Sequence, residues 1–295
     1  MGNIIKNFNQ IAHNYKAIFC DLWGCIHNGR ESFKEGLEAL LKFRNSGGYV
    51  ILVTNAPRPS EFVTGFLDKL GITKKFYDAI VTSGDATKFS VQTGDFGYDI
   101  YHIGPTRDLC FFNSERNSAP NPTTINLVSM PKASSIICTG LFNDLTETPE
   151  NYSDLINFGV KQKLKLLCAN PDMKVDFGRK RIWCAGGIAK KYSDAGGKTF
   201  YFGKPYSAIY EKAFQKLKLL KKNVERKNIL CIGDGINTDI KGGIMNGFKT
   251  LFICGGLSNE ELQVFPESPE PQQAILERFL ESYNLTPTAA IGYLQ

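Results

Sequence analysis

The chain has 295 residues, 42% of them hydrophobic, and a formal net charge of +6. That length leaves room for about two domains. No apolar run reaches the ~18 residues of a membrane-spanning helix. The opening residues lack both the apolar stretch of a secretion signal and the hydroxyl residue of a myristoylation site, so no membrane association is expected.

Taken in chain order, strand-like and helix-like stretches alternate. The apolar run Ala17 to Cys20 ends at Asp21 and a small loop with Gly24. A helix follows from about Phe33 to Asn45, with Leu37, Leu40 and Leu41 on one face and Gly47-Gly48 as its stop. Strand Tyr49 to Val53 ends at Thr54-Asn55. A helix with Phe62, Val63, Phe66 and Leu70 on one face comes next, then a strand and turn over Asp78 to Ala86. Strands are also expected at Ile125 to Met130, Ser135 to Cys138 and Leu164 to Cys168, with a polar loop over Asn113 to Thr124. Phe200 to Gly203 is a strand-like run ending at Lys204. Beyond it lie a helix over Ser207 to Leu220, a strand Asn228 to Ile232, a helix after Asp239, a strand Thr250 to Ile253 and a helix Gln272 to Tyr283. Such alternation predicts an α/β fold with a parallel sheet covered on both faces. The 149 residues between Thr54 and Lys204 are too many for one crossover, which predicts an inserted second domain.

Eight cysteines form no CxxC pair, and most sit in apolar runs. They read as reduced thiols of a cytoplasmic protein. The basic stretch Lys216, Lys218, Lys221, Lys222, Arg226 and Lys227 reads as a solvated helix face. No nucleic-acid motif or aromatic platform accompanies it, so no nucleic-acid partner is expected.

Four strand ends carry chemistry: Asp21, Thr54-Asn55, Lys204, and the acids Asp234 and Asp239 in Gly233-Asp234-Gly235-Ile236-Asn237-Thr238-Asp239. Two acids across a glycine-containing turn suit a hard divalent cation such as magnesium. A hydroxyl and backbone amides at a strand end can hold a phosphoryl oxygen, and an ammonium can neutralise it. In this order the motifs resemble the haloacid dehalogenase-like (HAD) hydrolase superfamily, most nearly its subfamily IIA of p-nitrophenyl and sugar-phosphate phosphatases. The resemblance runs from about Lys16 to Cys254. It implies a Rossmann-like catalytic core over 1–87 and 185–295, and an inserted α/β cap over 88–184. It also implies a magnesium-dependent phosphohydrolase acting on a small phosphorylated metabolite, with homodimers expected through the cap.

The resemblance assigns roles residue by residue. Asp21 is the nucleophile that forms a phospho-aspartate, and Thr54 and Lys204 hold the phosphoryl group. Asp21, Asp234, Asp239 and the main chain of Trp23 hold the metal. Asn55 and Gly24 line the phosphate site. In Cys168-Ala169-Asn170-Pro171-Asp172 of the cap, Asn170 and Asp172 face the substrate, while Trp183 to Gly187 matches the return to the core. Thr82 to Asp85 matches the hinge into the cap, and Arg58 is a candidate for a second anionic group.

One position departs from the pattern. The residue two after the nucleophile is usually a second Asp that protonates the leaving group and activates water. Here it is Trp23, which can do neither, although one branch of the subfamily resembles this chain in an Asp-x-Trp-Gly motif. His27 could substitute as the acid. The rival expectation is a protein that binds a phosphorylated ligand without turnover.

Overall fold

The computed structural model describes residues 3–113, 125–178, 180–221 and 223–295. The expected loop over Asn113 to Thr124 lies, after its first residue, outside the described residues, as does Lys222 of the basic stretch.

The strands in chain order are β1 (Asn3–Ile4), β2 (Ala17–Cys20), β3 (Tyr49–Thr54), β4 (Ala79–Thr82), β5 (Asp99–Ile103), β6 (Asn126–Leu127), β7 (Ser135–Cys138), β8 (Lys165–Cys168), β9 (Lys174–Phe177), β10 (Lys180–Trp183), β11 (Lys198–Tyr201), β12 (Ile229–Gly233), β13 (Lys249–Ile253) and β14 (Ala289–Ile291). Seven of them form one parallel sheet, in the order β1-β14-β13-β12-β2-β3-β4. Successive side chains alternate between two apolar layers, as a strand's twofold period requires. Ile18, Cys20, Val50, Leu52, Leu230 and Ile232 enter one layer. Ala17, Phe19, Ile51, Val53, Ile229 and Cys231 enter the other. Both faces are covered, so the strands read as continuous apolar runs.

Chain order reverses between β2 and β12, which are neighbours in the sheet. Strands on either side lead away in opposite directions, leaving a crevice beyond their C-terminal ends where ligands bind in open α/β sheets. Asp21 follows β2, Asp234 follows β12 and Thr54 ends β3. Register brings them level, with Cys20 opposite both Ile232 and Leu52.

A second parallel sheet, β11-β8-β7-β5-β6, and an antiparallel hairpin, β9-β10, arise from the intervening chain. Helix Ala185–Asp194 packs Ala185, Ile188, Ala189 and Tyr192 against Ile136, Cys138, Leu166 and Cys168 of this sheet. β11 pairs along its whole length with β8. The expected return to the first sheet at 185 is therefore corrected: the apolar helix face and the β8 partnership keep the chain with the second sheet through Tyr201.

Other expectations shift by local chemistry. Phe62 is 40% exposed, and Leu67 takes the buried place beside Val63. Thr82 to Asp85 opens helix Ser83–Gln92, which leads towards β5, with Thr82 Oγ1 accepting from the Asp85 amide at 2.9 Å. The expected strand at 125–130 is cut to Asn126–Leu127 before a 3₁₀ turn at Met130–Lys132. All eight cysteines are free; seven are buried and Cys110 is partly so. In the basic stretch, Lys216 Nζ donates to the Ile80 carbonyl at 3.0 Å, and Arg226 pairs with Glu211 and lies over Phe214. Among the described residues no helix is long and apolar enough to cross a membrane.

Candidate functional site

The cluster is built around Lys204. Its Nζ lies 2.7 Å from Asp21 Oδ1 and 2.7 Å from Asp239 Oδ1, with all three residues buried. Asp21, Asp234 and Asp239 each offer a carboxylate oxygen within 4.8 Å of the others. The Asp21 amide donates to the Ile232 carbonyl at 2.8 Å, which ties the first carboxylate to the strand of the second. The Leu257 amide donates to Asp234 Oδ2 at 2.9 Å, and the Gly235 amide to Asp239 Oδ2 at 3.2 Å.

Electrostatics follow from crowding and burial. Burial pushes the Asp21 carboxyl above its ordinary range; Lys204 pulls it down and Asp239 pushes it up again. Burial, then Asp21 and Asp239, raise Asp234 well above a normal carboxyl. Burial opposes the Lys204 ammonium, but Asp21, Asp239 and Asp172 more than offset it and hold its pKa well above the ordinary value. Three carboxylates around one ammonium leave an excess of negative charge. A hard divalent cation with oxygen ligands matches that donor set. The backbone makes room for it: Gly24, at φ +71°, and Gly256 approach Asp234 so closely that a Cβ would fall 1.9 Å and 2.1 Å from its Oδ2.

Asn55 joins the two sheets. Its Nδ2 donates to Asp172 Oδ1 at 2.8 Å and to the Lys204 carbonyl at 3.2 Å, while its Oδ1 accepts from the Lys204 amide at 2.7 Å. The loop after β8 turns on Asn170, whose Oδ1 accepts from the Asp172 amide at 3.1 Å. Burial raises the Asp172 carboxyl to about 6, with Lys204 and the Asn55 hydrogen bond holding it from rising further. Thr54 is buried at the end of β3, and its Oγ1 accepts from the Ala56 amide at 3.1 Å.

Two voids open onto these groups. A cleft of about 160 Å³ is lined by Asp21, Trp23, Gly24, Asp172, Asp234 and Asp239. A larger pocket of about 570 Å³ lies between the sheets and includes Asp21, Trp23, Thr54, Arg58, Asn170 and Asp172 in its wall. Apart from His27, the residues singled out in the sequence as catalytic, phosphate-binding or metal-binding lie together around this crevice. Arg58 forms an ion pair with Asp108 at 3.7 Å, so its charge already has a partner.

His27 takes a different place from the one an acid needs. It is 0% exposed, its Nδ1 accepts from the Gly29 amide at 3.0 Å, and burial lowers its pKa to about 4. A neutral, sequestered imidazole cannot stand in for the missing acid. Instead it packs edge-on against Trp23, with ring centroids 4.9 Å apart, and against Phe66 at 5.7 Å.

Several wall residues carried no signal in the sequence: Asp108 and Asp144 of the larger pocket, and Phe177 of the hairpin, 6.3 Å from Trp23 between ring centroids. Leu257 was legible in principle, because Gly255-Gly256 follows an apolar strand as Gly24 follows β2.

Residues 18–114 match the family model for haloacid dehalogenase-like hydrolases, and residues 201–282 match a HAD-hydrolase-like model. An acid sugar phosphatase of Staphylococcus saprophyticus is 25% identical over 251 residues, covering 84% of this chain and 90% of that protein. The crystal structure of a possible sugar phosphatase of the HAD superfamily from Cytophaga hutchinsonii superposes with a TM-score of 0.77 at 21% identity, covering 100% of both chains. A haloacid dehalogenase-like hydrolase from Brucella suis 1330 superposes with a TM-score of 0.85 at 35% identity, covering 99% of this chain and 100% of its own. With its strand-end carboxylates and lysine gathered at one crevice, the chain belongs to the haloacid dehalogenase-like hydrolase family.

Proposed function

We propose that this chain is a magnesium-dependent phosphomonoesterase acting on a small phosphorylated metabolite such as a sugar phosphate. The observation that carries this reading is Lys204 Nζ at 2.7 Å from both Asp21 and Asp239 within a buried three-carboxylate cluster. A binding protein has no need of a buried carboxylate beside an ammonium at the mouth of a crevice; phosphoryl transfer needs both. The name of the acid sugar phosphatase relative supports the substrate class.

Asp21 attacks the phosphorus and becomes a phospho-aspartate. Lys204 balances the charge of Asp21 and of the incoming phosphoryl oxygens. Thr54, Asn55 and the backbone at Gly24 hold and orient that group. Asp21, Asp234, Asp239 and the Trp23 carbonyl would hold the magnesium ion, which supplies charge neutralisation between two anions. The second sheet, acting as a cap domain, excludes water from the larger pocket when substrate is bound.

The test is phosphate release from p-nitrophenyl phosphate and a panel of sugar phosphates with magnesium. The native chain is expected to release phosphate, and Asp21→Asn is expected to abolish release. Persistent release from Asp21→Asn would overturn the nucleophile assignment. No release from the native chain on any panel member would favour the binding-protein alternative.

A further inference from the structure

Two proton transfers of phosphomonoester hydrolysis still need a partner here, a donor for the first and an acceptor for the second. Breaking the P–O bond of an alkyl phosphate leaves an alkoxide that needs a proton. Hydrolysis of the phospho-aspartate needs a base for the attacking water. Trp23 stands where relatives of the subfamily place an acid and has no proton to give. His27 is sealed under the Trp23 and Phe66 rings and contributes to neither void. Asp234 and Asp239 belong to the cation cluster.

Geometry singles out one other carboxyl. Of all the acids in the walls of the two voids, only Asp21 and Asp172 line both. Asp172 thus borders the space where the phosphorus must sit and also the larger space where the leaving group must sit. It comes from the second sheet, across the crevice from the strand that carries Asp21. Its carboxyl is fixed by Asn55, whose Nδ2 also binds the Lys204 carbonyl. The same side chain therefore sets the positions of the ammonium that faces the nucleophile and of the carboxyl opposite.

We propose that Asp172 gives the proton to the departing oxygen and takes one from the attacking water, the two transfers for which Trp23 has no group. This rests on the phosphomonoesterase reading and adds a catalytic residue to it. In the first step an Asp21 oxygen bonds to phosphorus as the P–O bond to the leaving group breaks. The electron pair stays on the leaving oxygen, which takes the Asp172 proton and departs as an alcohol. In the second step the Asp172 carboxylate takes a proton from water as the water oxygen bonds to phosphorus. The bond from Asp21 to phosphorus breaks with its electron pair returning to Asp21, and inorganic phosphate leaves. One water is consumed, and both carboxyls return to their starting states.

The environment suits a group that must hold a proton and then lose it. Lys204 lowers the Asp172 carboxyl while Asp239, and Asp21 by mutual repulsion, raise it; the neighbouring Cys168 and Cys184 thiols, themselves pushed up by burial and by Asp172, stay neutral and add no charge. Burial is the largest influence and brings the carboxyl to about 6, near the working range of a general acid-base.

The experiment compares leaving groups in the full chain with magnesium. Nitrophenolate departs without help, whereas an alkoxide does not. Asp172→Asn keeps an oxygen for the Asn55 amide and removes only the transferable proton. With p-nitrophenyl phosphate this variant should release about one equivalent of nitrophenolate rapidly and then turn over slowly, because only the second step is impaired. With glycerol phosphate its first turnover should fall by about 10²–10⁴-fold. Equal losses on both substrates with no burst would mean a structural role and overturn the proposal, as would unchanged rates on glycerol phosphate. If Asp172→Asn melts far below the native chain, the double variant Trp23→Asp with Asp172→Asn decides. Recovery of at least tenfold on glycerol phosphate over Asp172→Asn supports the assignment, and no recovery overturns it. Failure of the phosphomonoesterase reading itself would look different: the native chain, with Asp172 in place, would release no phosphate from either substrate.

Discussion

Gly24 shows how tightly the site constrains single residues. Its φ of +71° is a region that side chains rarely adopt, and a Cβ there would fall 1.9 Å from Asp234 Oδ2. Gly24→Ala is therefore expected to push Asp234 out of the carboxylate cluster and weaken magnesium binding at least tenfold, read by calorimetric titration. His27 is a second residue with a measurable signature. Its pKa falls from an ordinary 6.5 to about 4 in the fold, so the native state resists the proton that the unfolded chain accepts. The stability it contributes is complete above pH 6.5 and is lost as pH drops towards 4, by about 3 kcal/mol. The stability difference between the native chain and His27→Gln, from urea melts at pH 7 and pH 4, should shrink by that amount. No shrinkage would mean that the imidazole is solvated.

Hairpin β9-β10 reaches back from the second sheet to hold the first. Phe177 faces Trp23, the Gly178 amide donates to the Asn28 carbonyl at 3.0 Å, and Arg181 Nη2 donates to the Leu257 carbonyl at 3.3 Å. Arg30 lies over the far partner, 5.2 Å from the Phe177 ring centroid. Removing that ring should misplace the pocket wall more than it unfolds the protein, since Phe177 is only partly buried. Phe177→Ala is expected to lower kcat/KM by up to about 10²-fold. It should cost less stability than the ~3–5 kcal/mol of a fully buried Phe, and steady-state kinetics beside thermal melts separate the two. This hairpin was invisible in the sequence, because Lys174 to Trp183 is short, charged and held by residues distant along the chain. The strand ends were legible for the opposite reason. β2, β3 and β12 are buried on both faces, so each is an unbroken apolar run, and the polar residue that stops it stands out. The second sheet's boundary fell between these cases. Phe200-Tyr201-Phe202 was visible as a strand, but nothing local says that its partner is β8 rather than a strand of the first sheet.

Across the whole molecule, one amide links groups from both halves at the crevice. Asn55 satisfies both backbone groups of Lys204 and the Asp172 carboxyl. Asn55→Ala leaves buried polar groups without partners, each costing about 1–3 kcal/mol. It should also speed hydrogen exchange at residues 170–172 and 203–204 together; unchanged exchange at either segment would show that the sheets are held elsewhere. The thiols supply an independent view of the same coupling. Cys20, Cys231 and Cys254 lie on or beside strands of the first sheet, and Cys138, Cys168 and Cys184 belong with the second. All six are sealed from solvent, and none is committed to a disulfide. They form two sets of internal clocks: a brief pulse of alkylating reagent during gentle denaturation, followed by peptide mass spectrometry, records which half of the protein opens first and whether the other half opens with it.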